Sequence, residues 1–189
     1  NHSVSHGLQQ AMTYAQMLDV KFAYSSNGEG FAEHDFLTGK ERTFAMNEFP
    51  TKEDLVERYK NEANDGNGLN EQELAIIEQP FCTGQNIFPP RYYQRNAVNR
   101  TVGAIAKGQN RVLLVMATGT GKTYTAFQIV WRLLKSGLKK KVLYLADRNI
   151  LVDQSIQQDF KPLEKVTHKI DYSKDKNHLE ELGSYQVFF

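Results

Sequence analysis

The sequence predicts an α/β protein whose second half is a doubly wound parallel sheet, and three observations predict it. Residues 111–117 (RVLLVMA) and 140–147 (KKVLYLAD) are unbroken apolar runs, the pattern of strands covered on both faces. A loop with Gly119 and Gly121 separates the first run from a helix-forming stretch. The order strand, loop, helix, strand, helix is that of a parallel sheet wound by helices.

The first half has a different texture. Residues 8–18 (LQQAMTYAQML) hold helix formers without Gly or Pro and read as a helix. Residues 20–35 read as strand, turn, strand, with Asn27-Gly28 as the turn. A further hairpin continues through Thr38-Gly39. Thr51 can cap a helix over 52–60, with acids in its first turn where the helix dipole favours them. Residues 61–69 read as a loop. Asn70 and Glu73 then form a capping-box start to a short helix that Pro80 ends.

Residues 80–90 read as a loop closed by Pro89-Pro90. Residues 91–108 read as a helix ended by Gly108. After the run at 111–117 and the glycine loop, residues 122–137 read as a helix ended by Gly137. Residues 148–160 read as a last helix, for which Asn149 is a possible cap.

The glycine loop is the stretch richest in chemistry. In MATGTGKT, residues 116–123, glycines free the backbone so that N–H groups can converge on phosphate oxygens. The helix that follows adds about half a positive charge at its start. Thr118, Gly119, Thr120 and Gly121 would cradle phosphates, Lys122 would reach the β and γ groups, and the Thr123 hydroxyl would ligate Mg²⁺. The expected ligands are a nucleoside triphosphate and Mg²⁺. The full pattern G-x-x-x-x-G-K-[ST] has Met116 at its first position here.

Composition bounds the rest. Residues 1–80 hold 6 basic and 14 acidic side chains, and residues 81–189 hold 17 and 8. The basic half suits a polyanionic partner. No apolar run reaches the eighteen or so residues of a membrane span, so no membrane partner is expected. One cysteine, Cys82, cannot form an intramolecular disulfide, so a reducing, cytoplasmic setting is expected.

Met116 in place of glycine makes MATGTGKT resemble motif I of superfamily 2 helicases and translocases. RYYQ, Arg91 to Gln94, is similar to the segment through which that superfamily recognises adenine, which implies Gln94 as base reader with Arg91 beside it. Asp147 ends an apolar run as a Walker B acid does, but Arg148 follows it where a second acid is usual. The resemblance favours motif Ia, which implies Arg148 and Asn149 at the nucleic-acid backbone. A Walker B reading of Asp147 stays open.

PRYYQRNAVNRTV, LLVMATGTGKTYTAFQIVWRL and VLYLADRNILVDQ together resemble the restriction (R) subunit of type I restriction–modification enzymes. Residues 8–35 resemble the end of that family's RecB-like nuclease domain, with a Q-x-x-x-Y motif at Gln10 and Tyr14. Four residues apart on a helix, these two share a face. The resemblance implies the end of a PD-(D/E)xK-type nuclease domain over 1–48, a helical connector over 49–88, and the first part of a RecA-like motor domain over 89–189. It implies ATP-driven translocation of double-stranded DNA before cleavage, and modification and specificity subunits as partners. A superfamily 2 ATPase without nuclease activity is the alternative, and a bare nucleotide-binding or assembly module is a third reading.

The family's nuclease acids and lysine precede the Q-x-x-x-Y helix. Residues 1–9 hold His2 and His6 but no Asp, Glu or Lys, so those groups are expected upstream. No Asp-Glu pair follows an apolar run after Arg148. Glu180-Glu181 reads as a solvated helix face. The closing GSYQVFF resembles the segment before the family's Asp-Glu box, which is expected beyond Phe189.

Overall fold

A computed structural model describes residues 3–84, 87–175 and 181–189. His2 and Glu180 lie outside the described residues, and the side chain of Glu181 is not described. The chain divides into two compact units, Asn1–Leu74 and Ala75–Phe189.

In the first unit a 3-10 turn, Val4–Gly7, leads into α1, Leu8–Leu18. Three antiparallel strands follow in the order β1 (Phe22–Ser26), β2 (Gly30–Asp35), β3 (Glu41–Ala45). The first turn works as its residues demand. Asn27 Oδ1 accepts the Glu29 N–H at 3.0 Å, and Gly28 takes φ +89°. In the register, Ala23 faces His34 and Ser25 faces Ala32, so small side chains share one face. Ala23 and Ala32 are buried there, α1 packs on β1, and Leu8 and Ala15 are the buried residues of α1. Small residues let a helix approach a sheet closely.

The other face of the sheet is aromatic and ionic. Tyr24 and Phe31 each meet Phe49, with ring centroids 4.8 and 4.7 Å apart. Beside them, Glu33 is only 1% exposed. Its carboxylate accepts from Arg42 Nε at 2.8 Å, from Arg58 at 2.9 and 3.1 Å, and from the Tyr24 hydroxyl at 2.7 Å. Arg58 also reaches Asp35 at 2.7 Å and lies over the Phe22 ring. Burial alone would raise the Glu33 pKa, but these donors outweigh it and hold the carboxyl at about 2.

Helix α2, Lys52–Gly66, opens as expected. Thr51 Oγ1 accepts the Asp54 N–H at 3.1 Å and Asp54 Oδ2 accepts the Thr51 N–H at 2.9 Å. Its dihedral angles leave the helical region at Ala63, and Asn64 and Asp65 are left-handed. The expected loop therefore starts two residues later, because Asn61 and Glu62 complete the last turn. Asn70 and Glu73 form a reciprocal box at 2.8 and 3.0 Å that starts α3, Glu71–Glu78.

The second unit holds α4 (Tyr92–Ala106) and α5 (Lys122–Lys135). They pack through Val98, Val102, Ala106 and Leu133, with Ile76 completing the cluster. A parallel sheet has β6 (Val187–Phe188) between β4 (Val142–Leu143) and β5 (Thr167–His168). Helix α6 spans Asn149–Gln157 and a short α7 spans Tyr172–Asp175. Phe127 and Val130 of α5 join Val152, Phe160, Leu163, Val187 and Phe189 in a second core.

Two expectations are corrected here. Residues 111–117 form no strand among the described residues, and Leu113 and Val115 are 86% and 88% exposed. Apolar runs signal a demand for burial, but a strand forms only where ladder partners flank it. Residues 140–147 pair only at β4, and Tyr144 adds one further bond to Phe188. Val142 and Tyr144 face the core while Leu143 and Leu145 face outward. This run is covered on one side, not both.

Candidate nucleotide site

The glycine loop crosses from the extended segment into α5. Gly119 and Gly121 hold φ +77° and +81°, which L side chains rarely adopt. Gly121 is the residue that opens α5, and no side chain caps that helix start. The first-turn N–H groups therefore remain available to an anion. Thr120 Oγ1 donates to the Ala117 carbonyl at 2.7 Å and closes the loop. Lys122 is exposed, with Nζ 3.4 Å from the Met116 carbonyl. Thr123 is half-buried one residue on, and Thr118 is exposed at the loop tip.

The RYYQ segment starts α4 against this loop. Gln94 is buried, and both ends of its amide are engaged. Oε1 accepts the Arg91 N–H at 2.9 Å, and Nε2 donates to the Thr120 carbonyl at 2.9 Å. One amide proton and one lone pair remain for a ligand. Arg91 reaches the Tyr93 hydroxyl at 3.3 Å, which points in turn to the Thr120 carbonyl at 3.4 Å. A methyl at Gly121 would lie 2.5 Å from Gln94 Nε2. Glycine at 121 is thus required by the approach of Gln94 as well as by φ.

Between the two segments lies a pocket of about 320 Å³. Phe88, Arg91, Tyr93 and Gln94 line it on one side, Gly119 to Gly121 and Tyr124 on another, and Gln158 and Asp159 close it. The volume is at the small end of ligand pockets. Fitted to a nucleoside triphosphate, the loop offers a cation and a free helix start for phosphates, and the pocket offers room and polar groups for the base. For Mg²⁺ the chain offers the Thr123 hydroxyl. Among the described residues no group of three or more His, Cys, Asp or Glu is placed to hold a metal.

Arg148 and Asn149 lie away from this pocket's lining. Arg148 precedes α6 as its cap residue without a side-chain bond, so Asn149 is its first helical residue and not its cap. Arg148 is exposed, 3.9 Å from the neighbouring Asp147 carboxylate. In the first unit, Gln10 Nε2 donates to the Tyr14 hydroxyl at 2.9 Å on an exposed face of α1.

Three residues around the site belong to no sequence motif. Gln128, fully buried on α5, accepts from the Cys82 N–H and donates to the Cys82 carbonyl, both at 2.9 Å, which ties the 80–90 loop to the helix. Tyr124 donates to the Phe88 carbonyl at 2.7 Å and holds the pocket rim. Asp159 follows α6 with no motif around it. Helix spacing from the loop could have pointed to Tyr124 and Gln128, which share a face of α5.

A family model described as "Type III restriction enzyme, res subunit" matches residues 87–189. The chain belongs to this family of restriction-enzyme subunits. Its relatives place it with the endonuclease subunits of type I enzymes. It is 44% identical over 173 residues to the type I restriction enzyme EcoAI endonuclease subunit of Escherichia coli, covering 89% of this chain and 21% of that one. It is 33% identical over 151 residues to the EcoKI endonuclease subunit of E. coli strain K12, covering 75% of this chain and 12% of that one. Its fold matches a solved fragment described as an HsdR subunit of a type I restriction enzyme from Vibrio vulnificus YJ016. That match has a TM-score of 0.75 and 34% identity, covering all of this chain and 32% of that one. The chain thus spans about a fifth or less of the curated relatives' length.

At the candidate site, Gly121→Ala is expected to weaken nucleotide binding by about tenfold or more, since a left-handed alanine alone costs about 1–2 kcal/mol and its methyl would lie 2.5 Å from Gln94 Nε2. Equilibrium binding of ATP to the full-length variant measures it. Unchanged affinity would show that the Gln94 contact is dispensable.

Proposed function

We propose that this chain belongs to an ATP-dependent type I restriction endonuclease subunit that translocates double-stranded DNA before cutting it. The observation that carries the reading is the meeting of Gln94 with Thr120. It joins a base-binding segment and a phosphate loop around one pocket, on a chain whose relatives are named as endonuclease subunits.

In this reading Lys122 holds the β and γ phosphates, and the backbone from Thr118 to Thr123 holds the phosphate oxygens. Thr123 takes Mg²⁺, and Gln94 with Arg91 borders the adenine. Bound Mg-ATP supplies the free energy of phosphoryl transfer to water. Gln94 couples the base end of the site to the loop, because its amide cannot shift without moving Thr120. Arg148 and Asn149 contact the DNA backbone from the start of α6. Gln10 and Tyr14, joined on one face of α1, border the nuclease site. Residues 1–48 close a PD-(D/E)xK-type nuclease domain, 49–88 connect, and 89–189 begin a RecA-like, doubly wound motor domain. The modification and specificity subunits complete the enzyme, and the setting is the cytoplasm. Among the described residues no helix is long and apolar enough to cross a membrane.

The test uses the full-length subunit assembled with its partner subunits on DNA carrying a distant triplex. ATP-dependent displacement of the third strand is expected. Displacement without ATP, or none with ATP under conditions that allow cleavage, would overturn the reading.

A further inference from the structure

Asp159 is a half-buried carboxylate in the pocket wall. Its position is firmly set. The next residue, Phe160, is fully buried, and its N–H donates to the Ser155 carbonyl at 2.9 Å. Phe160 also packs edge-on against Phe127 and Phe189, at 5.5 and 5.1 Å between ring centroids. Among the described residues, no hydrogen bond or ion pair falls on the Asp159 carboxylate. Burial pushes its pKa up. A carboxylate partly removed from water without a donor is costly, so the fold keeps a loss at this position that a bound donor would relieve.

Charge decides which part of a nucleotide could supply that donor. A triphosphate is repelled by a carboxylate and drawn to Lys122 and the uncapped start of α5. The phosphates therefore take the loop end of the site, and Asp159 is left with the nucleoside. On adenosine the strong donors are the 6-amino group and the ribose hydroxyls. A purine with a 6-oxo group presents an acceptor there instead, and two acceptors repel. Gln94 has one proton and one lone pair left, which one edge of the base takes up, so Asp159 can read a further donor of the nucleoside.

We infer that Asp159 accepts a hydrogen bond from a donor on the nucleoside and so sets which nucleoside triphosphate the site takes. The inference rests on the reading of the pocket and glycine loop as a nucleoside triphosphate site. Sites built to hydrogen-bond a substrate group reject analogues that lack it far more strongly than apolar sites do.

The experiment titrates ATP, ITP, 2′-deoxy-ATP and 3′-deoxy-ATP into the full-length protein, as wild type and as Asp159→Asn. Asn keeps the shape and removes the charge, so folding is preserved, and Asp159→Ala serves as a second variant. Wild type is expected to prefer ATP over at least one analogue by about tenfold or more; Asp159→Ala is expected to reduce that preference to within about threefold, and Asp159→Asn, whose Oδ1 still accepts but without charge, to reduce it less. Loss confined to ITP assigns the contact to the 6-amino group, and loss confined to a deoxy analogue assigns it to that ribose hydroxyl. Preferences unchanged in both variants would overturn the inference, even if all affinities fell together. A wild type that binds ATP without any preference would overturn it too. A wild type that binds none of the four would overturn the nucleotide site itself and this inference with it.

Discussion

Replacing Lys122 by alanine is expected to abolish ATP-driven activity in the full-length protein. Lys122 is the first residue of α5 and the cation nearest the loop. Among the described residues its ammonium has the Met116 carbonyl as its one partner, at 3.4 Å, a weak hold that a phosphate oxygen would readily replace. Removing a charged donor aimed at developing phosphate charge costs about 10²–10³ in rate in comparable sites. The Lys122 side chain is exposed, so the fold should survive its loss and the defect should be chemical. DNA-stimulated ATP turnover measures it, with thermal unfolding as the control. Turnover within about tenfold of wild type would exclude the glycine loop as the phosphate site.

The largest expected effect on stability is at Glu33. Glu33→Ala removes the acceptor shared by Arg42, Arg58 and Tyr24. Two guanidinium groups and a hydroxyl would then lose their shared acceptor, leaving Asp35 at 2.7 Å and Glu62 at 3.9 Å as counter-charges to Arg58. A pair broken deep in a core costs about 3–5 kcal/mol; the cost here is smaller, because Arg42 is half-exposed and can turn to water. Faster amide exchange across β1 to β3 in the full-length protein is the expected readout, with exchange in α4 and α5 unchanged. The pH dependence follows from the same contacts. The Glu33 carboxyl sits at about 2 in the fold against an ordinary 4.5. Its contribution is therefore complete above about pH 4.5 and is lost as pH falls toward 2. Glu33→Ala should flatten the acid sensitivity of β2 exchange in that window. Equal sensitivity in both proteins would place the acid-labile group elsewhere.

What the sequence disclosed was local chemistry. Helix α1 begins and ends with its run of helix formers. Gly28 sits where a turn needs positive φ, and Thr51 and Asn70 cap the helices they precede. Each of these rests on residues within four positions of one another. The run at 111–117 failed because burial is not a local property. Its apolar side chains state a need, and the need is met only where other strands lie alongside. The site was legible in part for the same reason. The glycine loop and RYYQ are contiguous motifs, and their residues lie together in the structure. Arg132 and Asp159 act across the fold and leave no local trace, and Gln128 is marked only by its place one helical turn beyond Tyr124. Arg132 lies buried between Asn99, the Ile76 carbonyl and the Phe81 ring, far apart in sequence. Burial lowers its pKa, and nothing around it in the sequence signals a buried cation.

The central claim is that RYYQ and the glycine loop form a single nucleotide site. Photolysis of the full-length protein with 8-azido-ATP, followed by peptide mapping, tests it most directly. Adducts are expected at residues 87–94 or 158–160, suppressed by excess ATP and absent in Lys122→Ala. ATP-suppressed labelling confined to other residues would contradict it.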